Sequence, residues 1–254
     1  MYTIENEIVR VVIKSAGAEL ESIYNKHTAL EYLWDANPVF WAKKSPVLFP
    51  LVGTLKKDTY YFEGKSYLLS RHGFARDMDF VVTSQQKDSV TFLLESNNST
   101  LTKYPFSFRF SIIYTIAENQ LRVTYKILNT GNKKMFFSVG GHPAFKVPLA
   151  VNTAYPDYYL QFNKPETTGK WPISKDGLIQ KTPEPFFNNS THLPLTKDLF
   201  YKDALVFKHL NSDKISLLSD KTPHGLEFDF TGFPYLGIWA AKNADFVCIE
   251  PWCG

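Results

Sequence analysis

The stretch Arg109–Asn129, RFSIIYTIAENQLRVTYKILN, decides the fold class. It contains two runs rich in β-branched and aromatic residues, Arg109–Ile116 and Leu121–Asn129, which flank the segment Ala117–Gln120. Such runs favour extended backbone, and a short polar segment between them is typical of a β-hairpin. The stretch therefore predicts two neighbouring antiparallel strands.

Further strand signals lie on both sides of this hairpin. Tyr60–Phe62 and Ser66–Leu69 flank Glu63-Gly64-Lys65, which predicts a second hairpin with glycine in its turn. Leu226–Phe230 alternates apolar and polar residues, as a half-buried strand does. The remaining predicted strands are Phe80–Thr83, Val90–Leu94, Phe136–Val139, Ala204–Phe207 and Lys214–Leu218, the last two flanking a polar turn at Asn211–Asp213.

Helical periodicity is scarce in this sequence. No segment of about 12 residues, the length of an ordinary helix, carries a clean apolar stripe with capping residues. Tyr155–Pro194 is rich in proline, asparagine, threonine and lysine, which predicts long loops with short strands, where binding sites are often built. Since no linker separates two halves, we expect one all-β domain over residues 1–254.

Composition and charge exclude several classes of protein. Hydrophobic residues make up 44% and charged residues 21% of the chain, as in ordinary globular proteins. The net charge is +3 and the basic residues are scattered, whereas a nucleic-acid binder concentrates them on one stripe. The N-terminal residues show no secretory signal, and no apolar stretch approaches the ~20 residues of a membrane helix. With only two cysteines, we expect a cytoplasmic protein that binds neither nucleic acid nor membrane.

Titratable side chains stand among small, aromatic or proline residues in three segments: Arg71–Arg76 around His72, Gly140–Phe145 around His142, and Cys248–Gly254 around Glu250. A single histidine is most often structural. Glu250 is less ordinary, because Phe246–Ile249 predicts a buried strand and a buried carboxylate needs a partner or a function. A structural reading stays open, in which the strand ends at Ile249 and Glu250 is solvated.

Together these residues suit the opening of a sugar ring. That reaction removes a proton from the C1 hydroxyl, for which a carboxylate is a suitable base, and delivers one to the ring oxygen, for which histidine is a suitable acid. It needs no cofactor and no metal, and the chain has no motif for nucleotides or zinc-dependent proteolysis. Cys248 and Cys253, with no histidine near them in sequence, do not predict a zinc site.

Seven segments carry a resemblance to a known family: Gly17–Leu20, Glu31–Trp34, Ser45–Gly53, His72–Asp77, Gly141–Phe145, Lys202–Phe207 and Cys248–Trp252. In these segments, and in their order, the sequence resembles the aldose 1-epimerase family of the galactose mutarotase-like superfamily, in particular the branch that includes lactose-operon X proteins. The resemblance covers essentially the whole chain. It implies a large twisted antiparallel β-sandwich that binds its sugar in an open groove of one sheet.

The resemblance also implies roles for individual residues. It assigns the general base to Glu250 and the general acid to His142. Sugar binding and orientation fall to His72, and Asp203 holds sugar hydroxyls. Arg76 contacts hydroxyls or braces the site, with a salt bridge to a nearby aspartate, Asp77 or Asp79, as its structural alternative.

Several features of the sequence leave alternatives open. Trp34, Phe145 and Trp252 are candidates for stacking on a sugar face, although core packing is the expected role of each. Thr54 stands where many members of the superfamily carry a sugar-contacting arginine, and two alternatives follow: Lys44 or Lys56 replaces that contact, or the contact is absent. Family members usually continue beyond the Glu-Pro-Trp-Cys segment, so we expect either that the sequence is incomplete at its C-terminus or that the sheet lacks its final strands.

We expect an isomerase that interconverts the α and β anomers of a hexose and acts as a monomer or homodimer on a small-molecule sugar. Three alternatives remain. The first is a non-catalytic carbohydrate-binding protein on the same scaffold. The second is a hexose-6-phosphate 1-epimerase, which needs a basic cluster at the far end of the sugar. The third is a glycoside hydrolase, which needs two carboxyl groups such as those of Asp203 and Glu250.

Overall fold

A computed structural model describes all residues 1–254. By its internal contacts the chain forms two compact units. The first comprises Met1–Glu31, Ser45–Gly140 and Gly254, and the second comprises Tyr32–Lys44 and Gly141–Cys253.

The chain is built almost entirely of strands. Its 22 strands are β1 (Tyr2–Glu5), β2 (Val9–Ile13), β3 (Leu20–Asn25), β4 (Leu30–Glu31), β5 (Val47–Leu48), β6 (Thr59–Phe62), β7 (Lys65–Leu68), β8 (Val81–Gln85), β9 (Ser89–Glu95), β10 (Phe108–Ala117), β11 (Gln120–Asn129), β12 (Val139–Gly141), β13 (Ala144–Lys146), β14 (Tyr158–Glu166), β15 (Gly169–Lys170), β16 (Glu184–Pro185), β17 (Ser190–Pro194), β18 (Leu205–Lys208), β19 (Lys214–Ser219), β20 (Leu226–Asp229), β21 (Tyr235–Trp239) and β22 (Phe246–Cys253). The prediction of an all-β fold with antiparallel sheets is confirmed.

Helical structure is confined to short segments. The only α-helix, α1 (Asn98–Lys103), begins with a capping box in which the Asn97 side chain accepts a hydrogen bond from the Thr100 backbone amide. Short 3-10 helices occur at Lys56–Asp58, Ala75–Asp77, Tyr155–Asp157 and Lys197–Phe200. None of these helices is long and apolar enough to cross a membrane.

The first unit contains the hairpin that decided the fold class. β10 and β11 pair antiparallel from Phe108 opposite Asn129 to Ala117 opposite Gln120, so the hairpin prediction is confirmed. They belong to a sheet of order β11-β10-β9-β8, and β1 to β4 form a second sheet in chain order. The hairpin β6–β7 is also confirmed, and its turn residues Glu63 and Gly64 both have positive φ, as a two-residue hairpin turn requires.

The second unit contains the strands on which, or beside which, the predicted catalytic residues lie. β22 pairs with β21 on one side and with β13 on the other, and β18 extends the sheet beyond β21. A separate sheet has the order β17-β14-β19-β20. Thus β18 and β19, which follow each other in sequence, join different sheets rather than form a hairpin.

Two local predictions were wrong. Phe136–Val139 was expected to be a strand, but only Val139 lies in one, and the Phe136 side chain is 58% exposed. Tyr155–Pro194 was expected to form loops with short strands, which holds for β15, β16, β17 and their connections, but the expectation missed the nine-residue strand β14, in which Tyr158, Leu160 and Phe162 are fully buried. In both cases long-range pairing overrode local composition, because a strand needs a neighbouring edge with which to form hydrogen bonds.

Strand β22 continues past Phe246–Ile249, the apolar run from which the sequence predicted a buried strand. The structural reading in which the strand ends at Ile249 is wrong, because β22 extends to Cys253 and contains Pro251. The Ile249 amide donates to the Pro143 carbonyl, on the side of β22 away from β21. Backbone N–H groups two residues apart on a strand point to the same side, so the nitrogen of Pro251 also faces away from β21. The N–H that proline lacks is therefore not needed for the hydrogen bonds between β21 and β22.

Candidate active site

Strand register brings His142 and Glu250 together. β13 pairs antiparallel with β22 so that Ala144 lies opposite Cys248 and Phe145 opposite Val247. Continuing this register by two residues places His142 opposite Glu250. Residues directly opposite each other on antiparallel strands project to the same face of the sheet and come within contact distance. His142 itself lies in the two-residue connection between β12 and β13, and the continued register places it opposite Glu250 although the two residues are far apart in sequence.

The two side chains are in direct contact. Nε2 of His142 lies 3.3 Å from Oε2 of Glu250. Glu250 is 2% exposed and His142 is 8% exposed, so both polar groups are almost completely withdrawn from water. In such surroundings an ionised carboxylate and a protonated imidazole attract each other far more strongly than they would at a solvated surface.

Aromatic rings surround the imidazole of His142. The indole of Trp41 lies nearly parallel to it, with ring centroids 4.9 Å apart and planes 30° apart. Trp239 meets the imidazole edge-on at 5.6 Å, and Phe246 packs against both tryptophans. These rings fix the orientation of the imidazole and exclude water from its faces.

Trp41 is the functional candidate that the sequence analysis missed. It lies in the segment 32–44, which joins the second unit although it is about a hundred residues away in sequence. Its backbone amide donates to the Asn37 carbonyl, and its carbonyl accepts a hydrogen bond from Nε1 of Trp34. No local pattern marks Trp41, because its role depends on which residues the folded chain places beside it.

Three further aromatic residues were candidates for sugar stacking, and each is in the core. Trp34 is 6% exposed and packs on Phe246, and Phe145 is 5% exposed and meets Phe228. Trp252 is 6% exposed. The expected core role is thus the one that the structure gives to all three.

Trp252 lies over a glycine that faces Glu250. Gly237 is opposite Glu250 in the β21–β22 ladder, on the side away from His142. A Cβ atom at Gly237 would lie 2.4 Å from Cζ2 of Trp252, which is too close for any side chain. The absence of a side chain at this position therefore lets the indole of Trp252 pack over the strand beside Glu250.

Cys248 lies on the same face as the pair. It is two residues before Glu250 on β22 and is fully buried. Burial raises the pKa of the Cys248 thiol well above its usual range, and the charge of Glu250 raises it further. One ligand atom each from His142, Cys248 and Glu250 lie within 4.8 Å of one another, a proximity that the spacing of the two cysteines did not reveal.

Asp203 lies in the second unit, immediately before β18. Its carboxylate accepts a hydrogen bond from the next backbone amide, that of Ala204, at 2.7 Å. β18, which begins two residues after Asp203, pairs with β21, which in turn pairs with β22, the strand that carries Glu250. The predicted role of Asp203 in holding sugar hydroxyls stays a prediction.

His72 lies in the first unit, in a tightly braced turn. Its backbone amide donates to the Gly53 carbonyl, and Gly53 N–H points back at Nδ1 from 3.2 Å. Nε of Arg71 lies 3.2 Å from the other ring nitrogen. A neutral imidazole accepts at one nitrogen only, so just one of these contacts is a full hydrogen bond at a time. The predicted sugar-binding role of His72 remains a prediction.

The turn around His72 requires glycine at the next position. Gly73 has φ +73°, and a Cβ atom there would lie 2.3 Å from the Phe49 carbonyl oxygen. Arg76, a few residues further on, donates from Nη2 to the Arg71 carbonyl at 2.9 Å, and its Nε lies 3.7 Å from Oδ2 of Asp77. The salt bridge to Asp77 that the sequence offered as the structural alternative is therefore present.

The all-β fold thus places a buried carboxylate against a buried imidazole that two tryptophan rings border. The sequence profile described as aldose 1-epimerase matches residues 1–254. This chain belongs to the aldose 1-epimerase family, as its sequence predicted.

Relatives agree with this assignment in sequence and in structure. Protein LacX of Lactococcus lactis subsp. lactis, in its chromosomal form, is 34% identical over 99% of this chain and 87% of its own length. A galactose mutarotase related enzyme from Lactobacillus acidophilus is 38% identical, with a TM-score of 0.95 over 100% of this chain and 85% of that one. A galactose mutarotase-like protein from Lactobacillus casei is 34% identical, with a TM-score of 0.92 over 100% and 88% of the two chains.

Proposed function

We propose that this protein is an active aldose 1-epimerase that interconverts the α and β anomers of a free hexose. Membership of the family supports a carbohydrate epimerase-like function. The observation that carries the finer proposal is the 3.3 Å contact between Nε2 of His142 and Oε2 of Glu250. Sugar binding alone does not require a buried carboxylate in contact with an imidazole.

The proposed reaction is two proton transfers on one hemiacetal. Glu250 takes the proton of the C1 hydroxyl while His142 donates a proton to the ring oxygen, and the C1–O5 bond breaks to give the open-chain aldehyde. Rotation about C1–C2 presents the other carbonyl face. Ring closure with the two roles reversed gives the other anomer and restores both side chains.

The separation of the two groups suits this chemistry. The C1 hydroxyl oxygen and the ring oxygen are bonded to the same carbon, so an acid and a base that serve them must both reach the same small region of the sugar. His142 and Glu250 meet this requirement, and their burial removes the competing water that would otherwise solvate both charges. Each positioned proton transfer contributes typically about 10²–10⁴-fold to the rate.

Sugar contacts beyond the pair are part of the proposal. His72, Asp203 and Arg76 are the residues to which the family resemblance gives hydroxyl binding. Alanine at any of them is expected to raise KM more than it lowers kcat, since such contacts act on ground state and transition state alike. Trp41 and Trp239 are the rings that border the imidazole and so define the apolar side of the site.

Polarimetry on freshly dissolved α-glucose and α-galactose tests the proposal. The protein should accelerate the approach to anomeric equilibrium in a saturable manner, in buffer treated with a chelator and without added cofactor. A parallel assay with glucose 6-phosphate separates the free-sugar enzyme from a sugar-phosphate epimerase, and a chromogenic glycoside tests for hydrolysis. Saturable sugar binding without any acceleration would replace the proposal with the non-catalytic alternative.

A further inference from the structure

The cluster of His142, Cys248 and Glu250 has a property that anomer interconversion does not use. Its three side chains offer a nitrogen, a sulfur and an oxygen atom within 4.8 Å of one another, and all three residues are at least nine-tenths buried. Proton transfer requires only the imidazole and the carboxylate. The thiol is therefore an additional group in the site, and nitrogen, sulfur and oxygen together are a ligand set that zinc prefers.

The geometry of the cluster is close to that of a bound metal ion. Zinc lies about 2.0–2.2 Å from histidine nitrogen and carboxylate oxygen, so a tetrahedral site separates those two atoms by about 3.3 Å. Nε2 of His142 and Oε2 of Glu250 are 3.3 Å apart. A metal ion is therefore able to enter between them without spreading the strands. The sulfur must approach by about 1 Å at most to complete a three-ligand site.

Strand pairing fixes the backbone positions of the ligand set. Cys248 and Glu250 are two residues apart on β22, and His142 lies two residues before β13, where the β13–β22 register continues to place it opposite Glu250. Ala144, opposite Cys248 on β13, carries only a methyl group. Ligands held in this way lose little conformational entropy when an ion binds.

We propose that His142, Cys248 and Glu250 form an inhibitory binding site for soft divalent cations, of which Zn²⁺ and Cd²⁺ are the representatives. Binding releases the Cys248 proton to solvent as the sulfur–metal bond forms, and the ion occupies the atoms that serve the sugar. A thiolate ligand selects these ions over Mg²⁺ and Ca²⁺, which prefer oxygen. The metal-binding claim stands on geometry alone, and only its inhibitory consequence depends on the proposed function.

Cadmium binding to the sugar-free protein tests the site directly. Cys253 is exposed and is a thiol in its own right, so Cys253→Ser is the parent for all measurements. Titration of this parent with Cd²⁺ should give one ion per chain and the ultraviolet charge-transfer band of a cadmium thiolate. Mg²⁺ at the same concentrations should give neither a band nor a shift in Tm. Absence of the cadmium band in the folded parent would overturn the proposal.

Two variants on the Cys253→Ser background identify the ligands. Cys248→Ala should abolish the band and weaken Cd²⁺ binding by more than about 100-fold, beyond the 10–100-fold typical of losing an outer-shell contact. His142→Ala keeps the thiol, so it should retain a thiolate band but need far more Cd²⁺ to reach it. At the Cd²⁺ concentration that just saturates the parent, the Tm of the parent should rise and that of either variant should not. Unchanged affinity in both folded variants contradicts the site. If Cys248→Ala fails to fold, the Cd²⁺ affinity of His142→Ala alone tests the site.

The inhibitory consequence has its own measurement. Zn²⁺ should slow sugar mutarotation by Cys253→Ser competitively with the sugar, and excess chelator should restore the rate. Cys248→Ala on the same background should lose this sensitivity, measured as the fractional inhibition by Zn²⁺ relative to the metal-free rate of the same variant. A protein that binds Cd²⁺ but never accelerates mutarotation would refute the proposed function and leave the metal site standing, so the two failures are distinguishable.

Discussion

At the scale of single residues, three buried carboxylates differ in the groups that contact them. This difference distinguishes two structural carboxylates from the one to which we assign a catalytic role. Glu19 is 1% exposed and is neutralised by Lys14 at 2.8 Å, and Glu166 is equally buried but accepts hydrogen bonds from two backbone amides, at 3.0 and 2.7 Å. Glu250 instead contacts an imidazole, the side chain that titrates nearest to neutral pH. Lysine and amide groups hold a carboxylate in one state, whereas an imidazole is able to exchange a proton.

Trp41 gives a prediction at this scale. Trp41→Ala removes the ring that lies 4.9 Å from the imidazole of His142 and admits water beside it. We expect kcat to fall by about 10–100-fold, within the range for a mispositioned catalytic group, with a smaller change in KM. Steady-state polarimetry measures both constants.

The conservative change Trp41→Phe serves as the control, because it keeps an aromatic face against the imidazole. Most of the lost kcat should return in this variant. An equal loss of kcat in Trp41→Phe and Trp41→Ala, with unchanged Tm in both, would show that orientation of His142 is not what Trp41 provides.

At the scale of secondary-structure elements, β22 organises the site. One strand carries Phe246, Cys248, Glu250 and Trp252 on a single face, and its register with β13 brings His142 to Glu250. β21 contributes Trp239 opposite Cys248 and Gly237 opposite Glu250. The period of two in a strand and the pairing of its neighbours are thus sufficient to assemble the pair, the thiol and two of the surrounding rings.

Gly237→Ala tests this arrangement of strands. Its Cβ atom would meet Cζ2 of Trp252 at 2.4 Å, so the indole or the strand must move beside Glu250. Overpacking of this kind costs about 1–3 kcal/mol of unfolding free energy. At about 2–4 °C per kcal/mol for a chain of this size, we expect a clear fall in Tm together with reduced activity.

Gly131→Ala is the matched control for this substitution. The atom nearest to a Cβ at Gly131 lies 3.5 Å away, which is an ordinary van der Waals contact. Gly131 belongs to the first unit, whereas Gly237 and Glu250 belong to the second. Its Tm should stay close to that of the wild type. If Gly237→Ala is as stable and active as Gly131→Ala, the packing of Trp252 over β21 does not constrain the site.

At the scale of the whole molecule, the sequence correctly predicted the class of fold and the family, and it failed where pairing is long-range. The β10–β11 and β6–β7 hairpins were predictable because their strands are adjacent and their turns carry local signals. The strand β14 was not predicted, because it lies in a polar segment that contains several prolines. Conversely, the sequence predicted a strand at Phe136 and Phe137, which lie outside any strand. Local composition does not record which distant edge a segment will meet.

The candidate site shows the same division. Glu250 and His142 were recognisable from their motifs, and the structure adds their contact. Trp41 and the thiol of Cys248 were not recognisable as neighbours of His142, because Trp41 reaches the second unit in the separate segment 32–44 and the Cys248–His142 proximity arises from strand pairing. Spatial neighbours of this kind need the register of the sheet.

The rate of mutarotation by Glu250→Gln tests the central claim most directly, because this change keeps the shape of the side chain and removes its capacity to take a proton. At saturating sugar we expect kcat about 10²–10⁴-fold below that of the wild type, with a modest change in KM. Glu166→Gln is the control, since it alters an equally buried carboxylate that is held by backbone amides, and its folded fraction should keep the wild-type kcat. A wild-type kcat in folded Glu250→Gln would contradict the account.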